Sequence, residues 1–243
     1  MHRFFADKSQ FANGVVEILG DDVKHISKVL RLKEGDQISV CDKEKTDYLC
    51  CITFISKDRV TAEIMNTQAN GNESNIEVVL YQGLPKGDKM DLIIQKSVEL
   101  GAVKIVPVVM KRTVMKLNNP DAKIQRWQRI ADEASKQCMR GVLSEVGVPV
   151  TFEEMLNLLE ENALNILPYE NETSTKLKAV LEKGKTCKRI NIIIGPEGGF
   201  DEEEISAATQ NGINTVTLGP RIMRCETAPL AAISAVMYEL GDW

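Results

Sequence analysis

The chain has 243 residues, 43% apolar and 27% charged, the balance of a soluble globular protein with room for one large domain or two modest ones. Its formal charge of -5 hides an uneven spread: residues 86–140 carry 12 Lys/Arg against 6 Asp/Glu, and residues 141–243 carry 8 against 16. A basic middle suits a phosphate-rich partner, while the absence of any run near the roughly 20 apolar residues of a membrane span, or of a secretory h-region, predicts a cytoplasmic protein with no membrane partner.

The first 67 residues read mostly as short strands over 15–19, 37–40, 48–55 and 59–65, rich in β-branched and aromatic residues, with a hairpin turn at Lys57-Asp58. A small barrel is their natural closure. One helix interrupts them, N-capped by Asp21 or Asp22, with Val23, Ile26, Val29 and Leu30 on its apolar face. The polar stretch QANGNESN, 68–75, is the predicted linker between an N-terminal domain, 1–70, and a C-terminal domain, 74–243.

Beyond it the pattern alternates. A strand over 76–82 leads to a helix over 88–100 that Gly101 stops, and a strand over 103–110 follows. A long helix over 121–140 carries Trp127, Ile130, Ala131, Ala134 and Cys138, and TFEEMLNLLEEN forms another. The run ALNIL then leads to Pro168, a helix covers about 174–182, and INIII, 190–194, is a short buried strand. This alternation predicts an α/β fold whose parallel sheet is covered on both faces. The six cysteines include no C-x-x-C pair and read as buried thiols; with only two histidines, no metal site is expected.

Two loops look chemical. INIII runs into Gly195-Pro196-Glu197-Gly198-Gly199-Phe200, and a helix follows with Asp201 as N-cap, Glu202 to Glu204 in its first turn and Gly212 at its end. Glycines between a strand and a helix allow close approach to a ligand, yet neither a dinucleotide fingerprint nor a P-loop is present, which argues against hydride transfer and NTP hydrolysis. One unit later a strand over 214–218 turns at Gly219-Pro220 into RIMRCETA and a C-terminal helix ending near Leu240. An Arg224–Glu226 salt bridge with Thr227 as cap would explain those polar residues structurally. A ligand pocket at the carboxyl ends of neighbouring strands is the functional alternative.

The motifs GPEGGF and LGPRIMRCETA, preceded by KGDKMDLIIQKSVELG and RWQRIADEASKQCMR, resemble the RsmE family of 16S rRNA uridine-N3 methyltransferases of the SPOUT superfamily. HRFF at 2–5 and HISKVLRLKEGD at 25–36 extend the resemblance across nearly the whole chain. It implies a PUA-like N-terminal β-barrel, a SPOUT domain with a trefoil knot, a homodimer, a 16S rRNA or small-subunit substrate and S-adenosyl-L-methionine (SAM) as cofactor. By position it implies cofactor contacts at Leu167, Pro168, Gly195, Pro196, Glu197, Gly198 and Gly199, and at Leu218, Gly219, Ile222, Met223 and Thr227. Met223 and Cys225 stand where the family usually has Leu and Thr, and the proline usual near Ser144 is missing.

Methylating N3 of a uracil leaves negative charge on its carbonyl oxygens as the proton departs, so a fixed cation is needed there. Arg224 is the first candidate and Arg221 the second; Glu226 or Glu197 would accept the proton or orient the arginine. Arg3, Arg31, Lys86, Lys89, Arg112, Arg126 and Arg140 are the expected RNA contacts. A related methyltransferase with another RNA target, a non-catalytic ribosome-assembly factor and a small-molecule enzyme using a nucleotide cofactor are the alternatives.

Overall fold

The computed structural model describes residues 1–115, 117 and 119–243, which divide into two compact units. The first unit comprises Met1–Glu73 together with Ser135–Leu143, and the second Ser74–Ala134 with Ser144–Trp243.

In the first unit β1 (His2–Phe5), β2 (Phe11–Ala12) and β3 (Val15–Leu19) precede a helical segment, α1 (Asp21–Lys24), which runs on as a wider π-type turn over His25–Val29. Then come β4 (Gln37–Cys41), β5 (Thr46–Ile55) and β6 (Arg59–Ala69). Spatial order is β1-β4-β5-β6-β3-β2, antiparallel except for β1 on β4. Phe4 near one edge, Val16 and Ile18 near the other, and Ile38, Val40, Ile52 and Val60 between them share one core. A flat sheet cannot bring its edges to a common core, so this one curls around its apolar face. Gly20, not an aspartate, occupies the N-cap of α1, and Val29 is 69% exposed because the widened turn rotates it off the face that buries Val23 and Ile26.

The expected linker is ordered. β6 continues to Ala69, and the Asn70 and Asn72 side-chain amides donate to the Met139 carbonyl at 3.3 and 2.9 Å. Arg140 Nε and Nη2 grip the Glu73 carboxylate at 2.7 and 2.9 Å, and the N–H of Gly141 donates to the same group at 2.7 Å. Arg3 Nη2 donates to Asp47 Oδ1 at 2.7 Å and to the Arg140 carbonyl at 2.6 Å. A short stretch from mid-sequence thus completes the N-terminal unit, which a boundary drawn at one point in the sequence could not anticipate. Only Cys41, Cys50 and Cys225 are buried thiols; Cys51, Cys138 and Cys187 are half-buried.

The second unit holds a parallel sheet in the order β10-β8-β7-β12-β11-β13, with β9 (Glu145–Val146) also on β8. Its strands are β7 (Glu77–Gly83), β8 (Ala102–Val109), β10 (Val150–Thr151), β11 (Leu164–Pro168), β12 (Arg189–Ile194) and β13 (Asn214–Val216). Helices α2 (Lys89–Glu99), α3 (Pro120–Gln137), α4 (Phe152–Leu158), α5 (Leu177–Lys183), α6 (Glu202–Gln210) and α7 (Ala228–Leu240) intervene; the last residues of α3 belong to the first unit. From Ile190 onward β12 is buried on both faces and apolar except for Asn191, whose amide donates to Asn165 Oδ1 at 2.8 Å, because it lies between β7 and β11 as a central parallel strand. Among the described residues no helix is long and apolar enough to cross a membrane.

Glu73 and Arg140 each keep only 5% of their side-chain surface exposed. Glu73→Ala removes the bidentate partner of a buried guanidinium, and a loss of about 3 kcal/mol or more is expected, read as a lower urea midpoint.

Candidate active site at the carboxyl edge of the sheet

The loops after β11, β12 and β13 meet at one edge of the sheet. β12 and β13 are not neighbours, as the sequence suggested, because β11 lies between them. The loop after β11 is therefore the middle wall of the site.

Local chemistry fixes each loop. After β12, Asp201 caps α6 by accepting from the Glu203 N–H at 3.2 Å, and Glu204 reaches back to the Asp201 N–H at 2.9 Å, closing a capping box. Tyr169 meets Phe200 edge to face, with centroids 6.5 Å apart, which joins this loop to the one after β11. After β11, Glu172 accepts from the Ser174 hydroxyl and N–H at 2.6 and 2.7 Å and from the Thr175 N–H at 2.9 Å. Those bonds hold its carboxyl down at about 2. The N–H of Thr217 donates to the Thr175 carbonyl at 2.8 Å, which ties in the loop after β13.

Two glycines are required here, Gly83 by sterics and Gly199 by its positive φ. A Cβ on Gly83, at the end of β7, would stand 2.6 Å from the Pro196 nitrogen. Gly199 has φ +68 and leaves room for the Glu170 carboxylate, which a Cβ would approach to 2.5 Å. Gly83 escaped the sequence reading because it closes a strand instead of sitting in a glycine-rich loop.

Two clefts result, of about 460 and 490 Å³, the size range of small-molecule sites. Pro168, Glu170, Ile222, Met223 and Ala228 border both. The first is completed by residues including Glu172, Lys176, Leu218, Gly219 and Arg221, the second by residues including Lys89, Gly195, Glu197 and Arg224.

The second cleft has an electrostatic cluster at its rim. Lys89 Nζ lies 2.9 Å from Glu197 Oε1 and 3.2 Å from Glu226 Oε2, and the N–H of Lys86 donates to both Glu197 oxygens at 3.0 and 3.2 Å. Burial alone would raise both carboxyls; hydrogen bonds from Lys89 and neighbouring groups outweigh it and hold each below its ordinary value. The Cys225 thiol, pushed up to about 12 by burial, donates to Glu226 Oε2 at 3.2 Å, so this position makes a hydrogen bond without a hydroxyl. Glu226 thus pairs with Lys89 and not with Arg224, and Thr227 stands at the N-cap of α7 without a side-chain cap bond. Arg224 is exposed and has no ion-pair partner among the described residues.

This chain matches the RNA methyltransferase domain model over residues 72–237 and the RNA methyltransferase PUA domain model over residues 18–65. It is 35% identical to the ribosomal RNA small subunit methyltransferase E of Bacillus subtilis, over 98% of this chain and 97% of that one. The chain belongs to the RsmE family of RNA methyltransferases. The protein of the same name from Aquifex aeolicus is 30% identical over 98% of this chain and 99% of its own. A crystal structure of ribosomal RNA small subunit methyltransferase E from Neisseria gonorrhoeae, bound to S-adenosyl methionine, superposes with a TM-score of 0.91 at 32% identity, covering 100% of this chain and 99% of that one. The RsmE architecture of a parallel α/β unit and a PUA-like N-terminal unit is therefore present here.

Of the sequence-predicted cofactor residues, Pro168, Gly195, Pro196, Glu197, Gly199, Leu218, Gly219, Ile222 and Met223 line the clefts. Leu167 is buried in the sheet beneath them, while Gly198 and Thr227 lie outside the lining. Glu172, Thr173 and Lys176 were missed, since the segment after β11 has no glycine signature, and Thr217 was missed because it reads as the end of the strand before Gly219. The expected RNA contacts divide. Arg31 and Lys86 are exposed. Arg112 and Arg126 are exposed but pair with Asp201 and Asp91. Lys89 is committed to the cleft. Arg3 and Arg140 correct the sequence reading: at 6% and 4% exposure their guanidinium groups are spent on Asp47 and Glu73 inside the first unit.

Gly83→Ala forces Pro196 aside and is expected to cost about 1–3 kcal/mol by overpacking. Gly71→Ala, whose Cβ meets nothing within 4 Å, should stay within about 0.5 kcal/mol of the parent, both variants being read by urea unfolding.

Proposed function

We propose that this chain is a SAM-dependent methyltransferase that methylates N3 of a uridine in 16S rRNA of the small ribosomal subunit, as a cytoplasmic homodimer. The observation that carries the reading is the pair of clefts sharing one wall, with an uncommitted arginine, Arg224, in the second. A cofactor and a base need adjoining places.

The lining fits SAM better than a phosphate-bearing cofactor. Pro168, Leu218, Ile222 and Met223 give apolar walls suited to adenine, and Gly195, Gly199 and Gly219 expose main chain. Carboxylates of Glu170, Glu172 and Glu197 border the space, which opposes phosphate and favours a cation such as a sulfonium. When bound, SAM supplies the electrophilic methyl group. Arg224 stabilises the negative charge that develops on the uracil oxygens, and Arg221, in the other cleft, is second in line for that role. Glu226 is held anionic, so it is a weak base and suits orientation of the loop better than proton removal.

For RNA, exposed Arg31 in the first unit and Lys86 in the second are the leading phosphate contacts. A dimer is supported by Tyr238, 71% exposed in the catalytic unit, a large ring that a second copy would cover. The trefoil knot belongs to the same reading.

Labelled SAM incubated with unmodified small subunits should mark a single uridine; an unlabelled subunit would refute the activity. Arg224→Ala should lower methylation by about 10²–10³-fold while SAM affinity stays within a few-fold, and equal activity would remove Arg224 from the mechanism. Affinity for RNA should fall steeply with salt, and Arg31→Ala or Lys86→Ala should each reduce that slope by about 1 in a filter-binding series.

A further inference from the structure

Lys89 is the first residue of α2, with Asp88 as its N-cap. A cation there meets the positive end of the helix, so it gains nothing from the helix itself and needs carboxylate partners. Its partners come from two different loops: Glu197 follows β12 and Glu226 follows β13. Those strands are not hydrogen-bonded to each other but are spaced by β11 between them, so no direct ladder holds their loops together beyond the strand ends. The remaining titratable neighbour is the Cys225 thiol, 3.8 Å from Nζ. On its own helix, Asp88 and Asp91 are turned to Arg126, and Arg224 lines the same cleft.

We infer that Lys89 is a positioning residue, whose single ammonium ties the loop after β12 to the loop after β13 and so sets the opening of the second cleft. The inference rests on the reading that these clefts take SAM and a base. Both carboxylates reach the same nitrogen, and their side chains are only 26% and 18% exposed. Without the ammonium they would repel at close range, part the loops, and be relieved only when one of them takes a proton. A purely space-filling lysine would show no such dependence on charge.

The test is calorimetric titration of SAM into the wild-type chain, Lys89→Met, Lys89→Arg and Lys89→Met/Glu226→Gln, in which the substituted glutamate lines neither cleft, with melting curves as the check on folding. Lys89→Met is expected to weaken SAM binding roughly tenfold near pH 8 and less near pH 6, where one carboxyl donates to the other. The double variant, which lacks the like-charge pair, and Lys89→Arg should each recover most of that loss near pH 8. If Lys89→Met fails to fold near pH 8 but is rescued by Glu226→Gln or by acid, the inference is supported equally. Wild-type affinity in Lys89→Met at both pH values overturns it, as does a deficit indifferent to both pH and the second substitution. A wild-type chain that gives no heat with SAM instead defeats the proposed function on which the inference rests.

Discussion

The structure of the catalytic unit depends on the burial of β12 between two parallel neighbours. Ile190, Ile192, Ile193 and Ile194 are at most 3% exposed, so this strand has one stable place, the interior of a sheet covered on both faces. Its carboxyl end then delivers the glycine loop into the middle of the sheet's edge. β7 on one side brings Gly83 against Pro196, and β11 on the other brings Tyr169 against Phe200. Each contact is possible only because the central strand is pinned first.

Electrostatics then shape what the edge can accept. The second half of the chain is acidic, and several of those acids gather around the clefts, where helix and loop N–H groups and one lysine keep them ionised. A surface of that kind opposes nucleotide phosphates in the clefts. Charge is sorted by location along the chain, basic over 86–140 and acidic over 141–243, so the net charge of -5 describes neither part.

Much of this was legible in the residues. Apolar runs placed the longer strands but not β1, β2, β9 or β10, Asp201 and Gly212 bracketed α6, and the glycine and arginine motifs marked two of the three loops. Three things were hidden, each for a physical reason. Strand order is a matter of crossover connections, so β11 between β12 and β13 left no trace in the local pattern. Charged residues look alike whether solvated or buried, so Arg3, Arg140 and Lys89 passed for phosphate contacts until their carboxylate partners, 44, 67 and 108 or more residues away in sequence, came into view. The widened turn after α1 shifted Val29 off its expected face, since a helical wheel assumes a pitch that the backbone there does not keep.

The segment Ser135–Leu143 has a consequence for how this protein can be taken apart. Because it supplies Arg140 and backbone partners for Asn70 and Asn72 to the unit formed by the first 73 residues, no single scission yields two self-sufficient fragments. Recombination with a relative, whether in the laboratory or over evolutionary time, would have to exchange two separated stretches together, and chimeras joined at one crossover would inherit mismatched halves of the same buried ionic lock.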